Sequence, residues 1–155
     1  MLRHVYFKNS ILNTFIMIGS SVYILIMLKL LFLRAHYLFA DYNLVPFKTI
    51  NAYIVNRDHY NTDILIKNLF GNIVLFIPMG FIIPLLNRNS INFWRFLTCS
   101  FLILLAVELT QLITRVGSLD IDDIILNMFG AIIGFGITKI LIISFSKDTR
   151  NLMDK

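Results

Sequence analysis

Apolar residues gather into four long runs along this chain, and the polar residues inside or beside them crowd toward one end. The first run extends from about Ile11 to Leu33, with Lys29 as its one charge. The second runs from about Asn68 to Leu86, with Pro78 in its middle and Pro84 near its end. The third covers roughly Phe93 to Thr114 and the fourth roughly Ile124 to Ser144. A bilayer core takes about 20 predominantly apolar residues per helix. The pattern therefore predicts an all-α polytopic membrane protein: one domain over residues 1–155, a bundle of four transmembrane helices at 11–33, 68–86, 93–114 and 124–144. The first run lacks a small-residue cleavage pattern and is too long for a secretory signal, so it reads as an anchor. The tail from Lys147 onward is expected to fray.

The segment from about Arg34 to Lys67 is the one sizeable stretch outside the runs. Its rings (Tyr37, Phe39, Tyr42, Phe47, Tyr53, Tyr60) suit a chain lying in the headgroup layer. Ile50, Tyr53 and Ile54 have the spacing of one short helical face. Pro46 biases Val45 toward an extended backbone. An interfacial or re-entrant loop without chemistry accounts for this segment as well as a functional one does.

Composition sharpens the picture. Hydrophobic residues make up 57% and charged residues 15%, which excludes an ordinary soluble domain of this size. Cys99 is the lone cysteine, so no intramolecular disulfide can form. The net charge of +5 is spread over ends and loops, without the Lys/Arg cluster that grips nucleic acid. Contact with anionic membrane lipid explains it better. Arg3, Lys8, Arg88, Arg95, Lys139, Lys147, Arg150 and Lys155 share one side in a four-helix count. The bias of Lys and Arg assigns that side, with both termini, to the cytoplasm. The long loop and the third-to-fourth turn then lie outside.

Hydrocarbon makes carboxylates costly, by roughly 2.5–3.5 kcal/mol at mid-bilayer, so the acids near the run ends need a reason. At 100° per residue Glu108, Gln111 and Arg115 share one face of the third helix. Asp120, Asp123, Asn127, Gly130 and Gly134 share one face of the fourth, at spacings of 3, 4, 3 and 4. The hairpin sets these two faces opposite each other on the outer side, with Asn72 of the second helix at the same level. Asp122 points away from this face and is expected to meet solvent or headgroups. Gly130 and Gly134 let another helix approach closely.

Structural accounts compete at each position. Asp120 and Asp123 can cap the fourth helix and complement its dipole. Asn72 and Asn127 can be interhelical hydrogen-bond donors. Glu108 can pair with Arg115 one face along the same helix. Pro78 and Gly80 kink the second helix. His4, His36 and His59 are scattered and form no metal site. The acids could hold Mg²⁺ or Ca²⁺, but no cofactor is specified by residue type alone. No nucleophile elbow, zinc-protease motif or Walker loop is present.

The run Asn43-Leu44-Val45-Pro46-Phe47, then Asn72 through Pro78 to Gly80, then Glu108, Gln111, Asp120, Asp123, Asn127 and Gly130, resembles the VanZ-like family in order, spacing and membrane placement. The resemblance covers about Asn43 to Gly134; the first helix and the tail resemble the family only as hydrophobic and basic segments. It implies a small polytopic protein of the Gram-positive envelope. The family's namesake is associated with resistance to teicoplanin, a glycopeptide antibiotic. One departure concerns Arg115: many relatives carry an Arg a residue or two later.

Three functions follow as expectations. In the first, Asn72, Glu108, Gln111, Arg115, Asp120, Asp123 and Asn127 bind a lipid- or wall-linked headgroup and lower antibiotic susceptibility. In the second, Glu108 and Asp123 act as acid and base on a lipid or cell-wall precursor. In the third, the bundle is structural and binds a membrane partner through Gly130 and Gly134. A transport path would need several copies, and homo-oligomerisation stays open.

Overall fold

The computed structural model describes residues 10–33, 42–55 and 62–153. Arg3, Lys8 and Lys155, the three histidines, and the loop residues Arg34, Tyr37, Phe39, Asp41, Arg57, Asp58 and Tyr60 lie outside them. Along the chain come α1 (Ser10–Phe32), β1 (Tyr42–Asn43), α2 (Lys48–Val55) and α3 (Thr62–Leu86). A 3₁₀ turn (Arg88–Ile91) leads to α4 (Phe93–Thr114), β2 (Leu119–Asp120) and α5 (Ile121–Met153). Four helices are long and apolar enough to cross a membrane: α1, α3, α4 and α5. Their outward apolar residues, such as Phe15, Leu25, Phe70, Val74 and Phe129, stand exposed. Apolar surface on that scale belongs against hydrocarbon, where it carries no cost.

Two helices differ from the hydropathy reading. α3 starts at Thr62, six residues before the apolar run, and α5 starts at Ile121 and continues as helix to Met153. Backbone hydrogen bonding does not require apolar side chains, so a helix can outrun the membrane at either end. The expected fraying from Lys147 is replaced by continuous helix. The Ile50–Ile54 spacing does produce a short helix, α2.

The closest packing joins α3 to α5. A Cβ added to Gly130 would overlap the Ile73 carbonyl, one on Gly134 the Ile77 carbonyl, and one on Gly80 the backbone of Ala131 and Phe135. These glycines therefore set the interhelical distance. Gly130 and Gly134 do admit a neighbouring helix, but it is α3 of the same chain.

Both prolines of α3 lie inside the helix. Each lacks an N–H and so leaves the carbonyl four residues earlier without its intrahelical donor. For Pro84 that carbonyl belongs to Gly80, and Thr138 Oγ1 of α5 lies 3.3 Å from it while also donating to Gly134 O at 2.9 Å. Near Pro78 the Tyr23 hydroxyl of α1 donates to Leu75 O at 3.0 Å. Below these ties Phe96 of α4 stacks on Phe135 of α5 at 4.3 Å, and Phe76, Leu104 and Ala131 fill the centre. The far end of α4 is capped by Asn92, whose side chain accepts from Trp94 and Arg95 N–H groups.

Candidate functional site

At the opposite end of the bundle, α2 to α5 and both strands converge on a polar cluster, with the end of α1 beside it. β1 and β2 pair in parallel, setting Asn43 beside Asp120. Asn43 Nδ2 donates to Asp120 Oδ1 and to Thr49 Oγ1, both at 3.1 Å, and Thr49 Oγ1 donates to Asp120 Oδ2 at 2.6 Å. The same Asp120 caps α5 by accepting the Asp122 N–H at 2.9 Å. Its own N–H points at Glu108 Oε2, 3.4 Å away.

Asp122 corrects the sequence reading. Instead of facing solvent it is fully buried. Its carboxylate accepts the backbone N–H groups of Phe47 at 2.5 Å, Thr49 at 2.8 Å and Ile50 at 3.1 Å. These are donors that the first turn of α2 cannot satisfy internally. One acid on α5 thus caps a second helix from outside, and the positive ends of α2 and α5 meet around it. Phe47 takes a left-handed conformation there, with φ of 63°. A bulky residue adopts that region only under constraint, and the Asp122 bond supplies it.

The other acids and amides tie further elements in. Asn72 Nδ2 of α3 donates to Asp123 Oδ1 at 2.6 Å. Gln111 Nε2 of α4 donates to Leu31 O near the end of α1 at 2.9 Å. Asn68 Nδ2 donates to the Tyr53 hydroxyl of α2 at 2.7 Å. Glu108 and Gln111 are buried, as is Asn127, whose Oδ1 has no partner among the described residues.

Most of the sequence-derived candidates therefore meet at one end: Asn43, Asn72, Glu108, Gln111, Asp120, Asp123 and Asn127. Arg115 stands apart. It is exposed, ends α4 in a left-handed conformation (φ 58°), and forms no ion pair with Glu108. The Val116 N–H reaches back to Gln111 O at 3.1 Å, closing the helix end. Pro46 and Phe47 lie on the exposed approach to α2. Pro78, Gly80, Gly130 and Gly134 lie deeper, in the α3–α5 contact.

Thr49, Asp122 and the Asn68–Tyr53 pair escaped the sequence reading of this site. The signal for Asp122 was numerical: three acids in four positions exceed what one helix start needs, so one was free to cap something else. Thr49 carried no comparable signal, since a threonine after Pro46-Phe47 suits many loops.

The arrangement is rich in acceptors: four carboxylates, and the Asn127 amide oxygen, which has no donor among the described residues. Chemically it suits hydroxyl or ammonium groups better than phosphate. Among the described residues no group of three His, Cys, Asp or Glu side chains has the geometry to hold a metal ion. No curated protein and no solved structure matches the chain. A protein-family model described as VanZ/LLP1 matches residues 20–142, from the middle of α1 to the membrane part of α5 and across every residue of the polar cluster. The chain belongs to the VanZ/LLP1 family.

Proposed function

We propose that this VanZ-like membrane protein uses the polar cluster, on the extracytoplasmic side of a Gram-positive envelope, to hold the headgroup of a lipid- or wall-linked molecule. Holding it lowers the access of teicoplanin-like glycopeptides to their target. The observation that carries the reading is Asn127: a buried amide oxygen without a partner among the described residues, one helical turn from Asp123. An unpaired buried acceptor costs about 1–3 kcal/mol, a cost that a hydroxyl or ammonium group of a ligand would remove. The Lys and Arg bias supports the outward orientation of this end.

The test is teicoplanin susceptibility of a sensitive Gram-positive host expressing wild type, Glu108→Gln or Asp123→Asn at equal membrane levels. Protection by wild type and its loss in both variants is the expected result. Full protection by both variants would remove the cluster from the mechanism.

A second reading has one observation in its favour. Glu108 is buried while Asp123, bonded to Asn72, is only half-buried, and carboxylates in unlike surroundings can divide acid and base roles. A lipid or precursor mass shifted by wild type but not by Glu108→Gln would identify that activity.

A further inference from the structure

Between α1, α3 and α4 the bundle does not close. Met27, Leu31, Phe76, Met79, Ile83 and Val107 line a cleft of about 320 Å³. The one polar side chain on its wall is Tyr23, whose hydroxyl is turned onto Leu75 O. Water entering here would find almost no partners, and an empty space would forfeit dispersion contacts along its whole lining. Along α3 the lining runs from Phe76 to Leu86, about 15 Å at the helical rise. The shape is that of a slot, and its methionines adapt readily to flexible guests.

The slot also begins where the polar cluster ends. Leu31 lines it and offers its carbonyl to Gln111, while Val107 precedes Glu108 in the chain. All three walls lie within membrane-spanning stretches, where long hydrocarbon chains surround the protein. We propose that this slot seats one hydrocarbon chain of a membrane lipid whose head reaches the Glu108–Asp123 cluster. The proposal rests on the headgroup reading above and adds that the ligand is a lipid, held by tail and head together. A soluble wall fragment would leave the slot unused.

The test uses full-length protein in nanodiscs containing phosphatidylethanolamine with a diazirine in one acyl chain. That probe combines a hydrocarbon tail with a phosphodiester head that ends in the ammonium group suited to the acceptor-rich cluster. After irradiation, labelled positions are mapped by peptide mass spectrometry. The expected result is labelling concentrated on slot residues of α1, α3 and α4, competed away by excess unlabelled phosphatidylethanolamine. Leu28→Trp and Ile103→Trp, both at partly exposed positions on the slot wall, should each reduce it at least fivefold while elution on gel filtration stays unchanged. Labelling spread evenly over lipid-facing residues such as Phe15 and Phe129, indifferent to both variants, would overturn the proposal. The Asp123→Asn variant separates the two readings. Slot labelling that survives it unchanged keeps the tail site and counts against head capture. Even labelling, together with antibiotic protection that still depends on Asp123, keeps the head site alone.

Discussion

The carboxylate of Asp122 and the amide of Thr49 are bonded at 2.8 Å across 73 positions of sequence. The bond joins the start of α5 to the start of α2, so the segment between the first two membrane-crossing helices is fixed to the bundle by the last of them. Hydrogen bonds to a charged group contribute about 1.5–3 kcal/mol each. Asp122→Ala leaves three N–H groups with no acceptor and should destabilise the α2 segment by on the order of 3 kcal/mol. Hydrogen–deuterium exchange should show the amides of Thr49 and Ile50 losing protection, while those of Leu104 and Ala131 in the core keep theirs. Asp122→Asn retains one acceptor oxygen and should fall between the two.

Gly134 tests a different contact. With the Ile77 carbonyl carbon 3.0 Å from an added Cβ and its oxygen closer still, Gly134→Ala must push α3 away from α5. Overpacking of this kind typically costs about 1–3 kcal/mol. Thermal unfolding of the detergent-solubilised protein should shift down by several degrees. Gly136→Ala, two residues along the same helix with open space around it, should hold the transition in place or raise it, because alanine is the better helix former. An equal fall in both would show that close approach to α3 does not govern these positions, since the helix propensity of alanine alone would raise stability.

Thr138 and Pro84 form a pair suited to a double-mutant cycle. Thr138→Val removes the hydroxyl near Gly80 O, a loss of roughly 0.6 kcal/mol for a bond between membrane helices. In a Pro84→Ala background the alanine N–H can reach Gly80 O itself, and the same threonine change should then cost less. A positive coupling energy identifies the hydroxyl as the proline's substitute donor. Additive effects would assign Thr138 to its bond with Gly134 O alone.

At Arg115 the backbone, rather than the side chain, gives the prediction. A left-handed conformation costs an ordinary L-residue on the order of 1 kcal/mol, and glycine adopts it freely. Arg115→Gly should hold or slightly raise the melting temperature, whereas the β-branched Arg115→Val should lower it. A fall in antibiotic protection by Arg115→Gly at unchanged stability would place the guanidinium against the ligand.

Much of this architecture was legible in the sequence because a membrane constrains a chain so strongly. Apolar runs of membrane-crossing length must be helices, and the 3, 4, 3, 4 spacing from Asp120 to Gly134 marks a single helix face. What the spacing could not supply was the partner of each polar atom. Asp122 has the same local context as Asp123, yet one caps α2 and the other meets Asn72. That difference depends on where residues 47–50 fold back, a tertiary fact with no periodic signature. The lateral position of α1 was hidden for a similar reason. Its exposed and buried faces are both apolar, so hydropathy does not reveal which side meets α3 or that a slot remains between them.

Asn127 sets stability against function. Its Oδ1 is buried without a partner among the described residues, so in the unliganded protein this amide lowers stability relative to an apolar residue of similar size. Asn127→Leu should raise the free energy of unfolding by about 1–2 kcal/mol, because desolvating an unpaired acceptor is avoided. Stability given up at a polar group beside a candidate site is a recurrent trade against function. The same variant should therefore lose antibiotic protection even as its melting temperature rises. Thermal unfolding and susceptibility, measured on one set of membranes, give the answer. A variant both more stable and fully protective would make Asn127 a packing defect and leave Glu108 and Asp123 to carry the site.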